Sequence, residues 1–287
     1  MIYVSNFGNH SVTVYASTAR ANHAPLRRIA GPRTALAGPV GLALDARNHL
    51  YVANRTGGVV TVYGPTADGN AAPLRMLRPS GNAYVLAVAV GAEGDVFAAT
   101  CARSAHGGAP SLVHFAAGAD ESDYAIAGPH TGLTCPVGLA LHPGGRLLVA
   151  NALGGVVSAF AAGAAGDTSP LWSFTAATSS TRGIACSADT LLVTGPGIYL
   201  YPVAAPPPRR PVAVLGPSPS LPLRYASGVA IDARAAAPTV CVADYAARAL
   251  HVIRTAGVAP CLGLAESSVI EGTATGLDGP VGVVCAP

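Results

Sequence analysis

The sequence predicts an all-β fold: a six-bladed β-propeller of four-stranded blades, with its ring closed by the last strand-like segment of the chain. Three observations predict it. A unit recurs six times, each unit holds four strand-like segments, and the chain starts and ends inside the same unit. Helical periodicity of useful length occurs nowhere in the 287 residues.

The repeat is clearest in the segment Tyr51–Tyr63, which reads YVANRTGGVVTVY. Near-copies are YVSNFGNHSVTVY at Tyr3–Tyr15 and LVANALGGVVSAF at Leu148–Phe160. A second element of the type GPVGLALD precedes each copy, and repeats at this spacing are typical of propellers and solenoids. Its six occurrences begin at Gly38, Val85, Cys135, Arg182, Ser227 and Gly279.

Each unit contains four short apolar segments. In the second unit they read VGLALD, LYVAN, VVTVY and PLRML, and Gly, Pro, Asn and Asp fall between them. β-branched and aromatic residues bounded by such turn formers are typical of strands. The segments are almost continuously apolar, which indicates that both faces of each sheet are covered.

The ends of the chain predict how the ring closes. The chain begins with IYVSN, a second strand, and ends with GPVGVVCAP, a first strand. A stacked solenoid would need polar terminal repeats, whereas here the end supplies what the beginning lacks. We therefore expect one propeller domain over residues 1–287. Its blades are predicted at about 279–287 with 1–37, 38–83, 84–133, 134–180, 181–225 and 226–278.

Composition excludes two classes of partner. Hydrophobic residues make up 51% of the chain and charged residues 11%, and the net charge is +3. No basic run interleaved with aromatic residues occurs, so no nucleic-acid partner is expected. No uncharged apolar run is long enough to span a bilayer, so no membrane insertion is expected. No signal peptide precedes the first strand, so we expect either a cytosolic protein or a sequence that begins after its targeting segment.

The pattern GPxGxAxD…LYVAN…VxVY at Gly38–Tyr63, found in part at Cys135–Phe160, resembles the NHL-repeat family of β-propellers. The stretch GNAAPLR at Gly69–Arg75 is similar to that of bacterial secreted members, so the resemblance favours an extracytoplasmic or secreted protein. It implies the propeller fold. It does not imply one activity, because such relatives include binding scaffolds, lyases and lactone hydrolases.

One face of the propeller is the expected place for a ligand. The loops that enter the first strands and the loops that join second to third strands should share this face. Equivalent polar residues in these loops could form a ring around the channel mouth, or each could hydrogen-bond its own turn. They are Asn6, Asn54, Asn151 and Asp244.

Residues that interrupt the repeat are further candidates, because insertions on one face of a propeller commonly carry specificity. Arg182 aligns with the Pro of GPVG and is expected at the channel mouth. His130 lies in a loop of the same face. The insertion CARSAHGGAP, which starts at Cys101, adds Arg103 and His106. A merely tolerated surface insertion is the alternative.

Evidence for catalysis is sparse in the sequence. Gluconolactonase-type relatives use a Glu, an Asn and an Asp on this face, but here the only Glu residues near such loops are Glu266 and Glu271. No two His have metal-ligand spacing, and no phosphate-binding loop is present. We predict no catalytic residue, no metal and no cofactor.

The six cysteines differ in expected environment. Cys186, Cys241 and Cys285 lie within strands, which predicts burial as small apolar residues. Cys101 follows a second strand and Cys135 precedes a first strand of the neighbouring blade. We therefore predict a disulfide between Cys101 and Cys135, which would require an oxidising compartment.

The sequence thus favours a non-catalytic binding scaffold that presents one loop face to a protein, peptide or glycan. The alternative is a lactonase-like or lyase-like enzyme with its site at the mouth of the central channel. An oligomer built through the outer strands is compatible with both.

Overall fold

The computed structural model describes residues 1–81, 83–103, 109–203, 210–234, 238–256 and 263–286. Within them the chain forms six sheets of four antiparallel strands, as the sequence predicts. Two 3-10 turns, Pro32–Thr34 and Pro129–Thr131, are the only helical elements in these ranges. None of the described residues forms a helix long and apolar enough to cross a membrane.

From the inner strand outward, the first blade consists of β24 (Pro280–Cys285), β1 (Ile2–Asn6), β2 (Ser11–Tyr15) and β3 (Arg27–Ile29). The second blade consists of β4 (Pro39–Leu44), β5 (Leu50–Asn54), β6 (Val59–Tyr63) and β7 (Arg75–Leu77). The third blade consists of β8 (Ala83–Val90), β9 (Val96–Ala102), β10 (Ser111–Phe115) and β11 (Tyr124–Ile126).

In the same order, the fourth blade consists of β12 (Pro136–His142), β13 (Arg146–Asn151), β14 (Val156–Ala161) and β15 (Trp172–Thr175). The fifth blade consists of β16 (Ile184–Cys186), β17 (Thr190–Thr194), β18 (Ile198–Pro202) and β19 (Ala213–Leu215). The sixth blade consists of β20 (Ala226–Asp232), β21 (Thr239–Asp244), β22 (Ala249–Ala256) and β23 (Gly263–Ile270).

The ring closes as predicted. Strand β24, the last of the chain, pairs antiparallel with β1, and Ile2 lies opposite Cys285 and Val4 opposite Val283. The inner strands contact one another in the order β24, β4, β8, β12, β16, β20 and back to β24. Pairing with β24 covers the edge of β1, which would otherwise be free to pair with other chains.

The core lies between the blades. The second strands β1, β5 and β17 are buried along their whole length and the other three except at one end, because each sheet is covered on both faces. Six apolar clusters fill the six spaces between neighbouring blades. One of them joins Val4 and Tyr15 of the first blade to Leu250 and Val252 of the sixth.

A glycine lies within the inner strands β4, β12, β20 and β24 and directly before β16, and only the third blade lacks one. A Cβ on Gly282 would lie 2.1 Å from the Val40 carbonyl oxygen, and one on Gly228 would lie 2.2 Å from the Val281 carbonyl oxygen. Ala87 occupies the corresponding position in β8. Glycine therefore permits the inner strands to approach one another more closely than any side chain would allow.

We predict that Gly282→Ala lowers the free energy of unfolding by about 3 kcal/mol, since the added methyl overlaps backbone that cannot move without opening the ring. The matched change, Ala87→Gly, should cost only about 1 kcal/mol. Urea unfolding followed by circular dichroism measures both. Equal losses in the two variants would contradict this account of the inner glycines.

Candidate functional site

A cavity of about 640 Å³ opens at one end of the central channel. We call it the mouth cavity. Its floor is formed by the residue that directly precedes the inner glycine, or Ala87 in the third blade, and its rim by loops that follow second strands or precede inner strands. The floor residues are Val40, Leu86, Val137, Arg182, Ser227 and Val281, and the rim residues are Phe7, Arg55, Cys135, Ala152, Tyr225, Tyr245 and Ala246.

Arg182 is the one charged residue of the floor. It precedes Gly183 just as Val40 precedes Gly41, so Arg182 occupies the position of Val40 in its blade. The alignment of the repeats had placed Arg182 at the Pro of GPVG, which was wrong by one position. Its side chain is exposed, and its guanidinium carbon lies 4.9 Å from the centroid of the Tyr225 ring. This distance is typical of a cation–π contact.

A second arginine–aromatic group lies on the opposite part of the rim. The Arg55 guanidinium lies 5.1 Å from the Tyr84 ring centroid and 5.8 Å from that of Phe7. The predicted ligand residue Arg103 also contacts Tyr84, at 5.0 Å. However, Arg103 donates hydrogen bonds to the carbonyl oxygens of Thr56 (2.8 Å) and Ala83 (3.3 Å), so its side chain ties two blades together and lies outside the cavity lining.

The mouth cavity is electropositive. Its described lining contains two arginines, Arg55 and Arg182, and no Asp or Glu. Neither arginine forms an ion pair with a described residue. On the same face Asp278 is already paired with Arg248, at 3.3 Å. The two cations of the lining are therefore free to bind an anion.

The four predicted ring residues Asn6, Asn54, Asn151 and Asp244 are fully buried and do not line the cavity. Each accepts a hydrogen bond from the backbone of the loop that enters its own inner strand. Asn54 accepts from Ala37 N–H (2.9 Å) and donates to the Val52 carbonyl (3.1 Å). Asn151 accepts in the same way from Thr134 N–H. Their side chains thus hold the turns, which was the alternative left open by the sequence.

Asp244 makes a charged version of this contact. Its two carboxylate oxygens accept from the N–H groups of Arg224 (2.6 Å), Tyr225 (3.0 Å) and Ala247 (3.0 Å). His251 Nε2 lies 3.7 Å from one oxygen, at the position where Thr61 contacts Asn54 in the second blade. Burial by itself would raise the pKa of Asp244, but His251 and the backbone N–H groups outweigh it and hold the pKa below its usual value.

Two histidines, His130 and His106, were predicted to contact a ligand, and the structure describes only the first. His130 lies on the expected face but away from the cavity, on an exposed 3-10 turn. Its Nδ1 contacts Asp167 at 2.6 Å, and its backbone N–H donates to the same carboxylate at 2.8 Å. That pairing lowers the pKa of Asp167. His106 lies outside the described residues, so the proposal that it contacts a ligand stays a prediction.

Asp167 occupies the position of Asn70 in GNAAPLR, and this position has the same structural role in several blades. The equivalent residues Asn22 and Asn70 accept hydrogen bonds at 2.8 Å from Ala274 and Arg33, each in the loop that ends the preceding blade. The polar residue of this stretch therefore fastens one blade to the one before it, and it has no contact with the mouth cavity.

Cys101 and Cys135 approach each other across neighbouring blades at the rim. Burial and a hydrogen bond with Cys101 raise the pKa of Cys135 to about 12, although the nearby Arg55 acts in the opposite direction. Both cysteines are free thiols in the structure. Cys135 has a φ of 98° where the second blade has Gly38, a conformation that side chains rarely adopt. The disulfide between them stays a prediction.

Among the described residues, no three His, Cys, Asp or Glu side chains come together in a way that could hold a metal ion. Arg55 and the aromatic residues of the rim are the part of the site that sequence reasoning missed. Phe7, Arg55 and Tyr245 each directly follow the Asn or Asp of their blade, at a position whose residue type differs from blade to blade. That variation beside a residue that is Asn or Asp in four of the blades was the available signal.

Comparison with known proteins supports the fold alone. A streptogramin B lyase structure superposes with a TM-score of 0.51 at 11% sequence identity, over 75% of this chain and 65% of the lyase chain. Hydrazine synthase from Kuenenia stuttgartiensis superposes with a TM-score of 0.60 at 16% identity, over 88% of this chain and 72% of that chain. No family model and no curated protein matches the chain. The chain is a six-bladed propeller, and these likenesses leave both binding and catalysis open.

We predict that Asp244→Asn and Asn54→Asp each destabilise the fold by about 2–3 kcal/mol. Both oxygens of Asp244 face N–H donors, so an amide –NH2 in its place would oppose a donor. The Nδ2 of Asn54 faces the Val52 carbonyl, so a carboxylate would oppose an acceptor. Urea unfolding at neutral pH tests both, and a neutral exchange at either position would contradict the assignment.

The deficit of Asp244→Asn should depend on pH. Folding lowers the pKa of Asp244, so the carboxylate contributes stability that is complete above the pKa of an unfolded Asp, about 3.9. This contribution is lost as the pH falls through the lower folded-state pKa. Unfolding curves of the wild type and the variant should therefore differ most above about pH 5 and converge in acid. A constant difference down to pH 3 would argue against a buried carboxylate.

The predicted Cys101–Cys135 bond has a direct test. Protein isolated without reductant should yield a peptide pair joined through these two residues, which reductant separates in mass spectra. Recovery of both as alkylated free thiols from unreduced protein would reject the bond.

Proposed function

We propose that this protein is a non-catalytic binding propeller whose ligand enters the mouth cavity and carries an anionic group. The ligand belongs to a peptide, protein or glycan. The observation that supports this most is the combination of two exposed arginines, Arg55 and Arg182, with aromatic rings in a cavity whose described lining has no acid.

The chemistry of the lining suggests the form of the ligand. An arginine held against an aromatic ring presents its N–H groups in a fixed orientation, and guanidinium matches a carboxylate through two parallel hydrogen bonds. Tyr225 and Tyr245 meet edge to face with centroids 6.0 Å apart and offer an apolar surface beside Arg182. A carboxylate attached to a sugar ring or to a peptide side chain fits this combination.

The depth of the cavity favours a group that protrudes from a larger molecule. Below the floor the channel narrows to a cavity of about 70 Å³ between the inner strands, and apart from Arg182 and Ser227 the floor is apolar. Ser227 has no donor left for an anion, because its one hydroxyl hydrogen is directed to the carbonyl oxygens of Ala243 and Pro280, which lie at 2.8 and 2.9 Å. The floor therefore offers Arg182 as its single polar contact for the inserted group.

Binding of defined probes tests the proposal. An acidic peptide and an oligogalacturonate should bind the wild-type protein in titration calorimetry, whereas the amidated peptide and the methyl-esterified glycan should bind at least tenfold more weakly. Because the interaction is ionic and partly exposed, affinity should also fall as salt is raised.

Arg182→Gln should weaken binding of the acidic probes at least tenfold, because it removes the charge at the floor while keeping most of the side-chain volume. The control is Arg47→Gln, which changes an exposed arginine in the turn after β4, at the opposite end of the channel. Failure of every acidic probe to bind, or equal loss in the control, would contradict the proposal. Recovery of a chemically altered probe would instead favour the lactonase-like or lyase-like alternative.

A further inference from the structure

Two cysteines meet at the opposite end of the propeller, where the ring closes. Cys285 lies at the end of β24 and Cys241 lies in β21 of the sixth blade. Their Sγ atoms are 3.1 Å apart, although 44 positions separate them in the sequence. A disulfide requires about 2.05 Å between sulfurs, so a movement of about 1 Å would bring them to bonding distance.

The two thiols differ in access. Cys241 is completely buried, whereas Cys285 is only partly buried. Cys285 borders a cavity of about 750 Å³ on this end, which Arg234 also lines, whereas Cys241 lies behind it with no exposed surface. Arg234 is held there by Asp232 at 2.7 Å and by the carbonyl oxygen of Ala286 at 2.9 Å. A small reagent can therefore reach Cys285 first, beside the ion pair of Arg234 and Asp232.

We propose that Cys241 and Cys285 are a redox-active dithiol that forms a reversible disulfide, with a low-molecular-weight disulfide as the oxidant. The proposal stands apart from the mouth cavity and from the Cys101–Cys135 pair, because it concerns the other end of the channel.

The reaction proceeds by two exchanges. The Cys285 thiolate attacks one sulfur of the oxidant, breaks its S–S bond and releases one thiol, which leaves a mixed disulfide on Cys285. The Cys241 sulfur then attacks Cys285 Sγ and displaces the second thiol, which takes up the Cys241 proton. The two protein thiols lose two electrons and two protons in total, and the oxidant is reduced to two thiols.

The bond would fasten the strand on which ring closure depends. Strand β24 is held in the first blade by its backbone pairing with β1 and packs against the sixth blade through side chains. A covalent link from Cys285 to Cys241 attaches this strand to the sixth blade as well. Opening of the ring at its seam would then require more than loss of the β1–β24 hydrogen bonds.

The experiment compares protein equilibrated in oxidised glutathione with protein kept in dithiothreitol. Free thiols are alkylated under denaturing conditions and the peptides are mapped by mass spectrometry. We expect a Cys241–Cys285 peptide pair in the oxidised sample, and a melting temperature roughly 5–10 °C above that of the reduced sample. A Cys101→Ser background removes any contribution from the other thiol pair.

Single variants separate the roles of the two sulfurs. Cys241→Ser should leave a stable glutathione adduct on Cys285, because the second exchange is blocked. Cys285→Ser should leave Cys241 unmodified, because the oxidant cannot reach it. Neither variant should show the oxidation-dependent rise in melting temperature.

Cys186 provides the matched control, since it ends the inner strand β16 at the position that Cys285 has in β24. The Cys186 sulfur contacts the Leu141 carbonyl at 3.5 Å, and no described thiol lies beside it. Cys186→Ser should keep both the cross-link and the rise in melting temperature. The proposal is overturned if Cys241 and Cys285 are both recovered as free thiols after oxidation of folded protein, or if their cross-link appears without a change in melting temperature.

Discussion

The approach of neighbouring inner strands is the constraint on which the rest of the molecule depends. At Gly282 the inner strand touches the Val40 carbonyl of the next blade so closely that no side chain fits between them. Five of the six inner strands meet this requirement with glycine, and the register shift found in most of them lies at the same place. The residue before each of these glycines, and Leu86 before Ala87, consequently faces the mouth, so the six-residue floor and the narrow channel below it follow from one packing contact.

The repeat separates structural positions from ligand-binding positions within a few residues. Asn54 is buried and holds a turn, and the next residue, Arg55, is exposed at the cavity rim. The first position is Asn or Asp in four of the six blades, because in each of these the side chain accepts a hydrogen bond from the same turn. The second differs between blades because it meets solvent or ligand, whose demands are not sixfold symmetric. A site in a repeat protein is thus found where the residue type varies beside a position that does not.

The fold could be predicted from the sequence because strand alternation, turn residues and ring closure all repeat and therefore support one another. Arg182 was misaligned because β16 is short and its entering segment lacks the proline that stands at Pro39, Pro136 and Pro280 in three of the other blades. The pairing of His130 with Asp167 and the contact of Cys241 with Cys285 could not be predicted, since both join different blades and depend on how blades pack. Sequence repeats describe a blade well, but they carry little information about the contacts between particular blades.

In the sixth blade a residue that holds the fold also positions residues of the mouth cavity. Asp244 binds the N–H groups of the two segments that carry the cavity tyrosines, and Tyr245 N–H in turn donates to the Tyr225 carbonyl at 3.0 Å. The Arg182 guanidinium then lies over the ring of Tyr225. A buried carboxylate that never touches the cavity thus fixes the ring on which its central cation lies. In the second blade the single side-chain oxygen of Asn54 accepts from the turn. In the sixth blade N–H donors face both carboxylate oxygens of Asp244, so two acceptors are needed. We infer that the exchange of the Asn–Thr pair for Asp–His in this blade serves to hold the tyrosine rim in place.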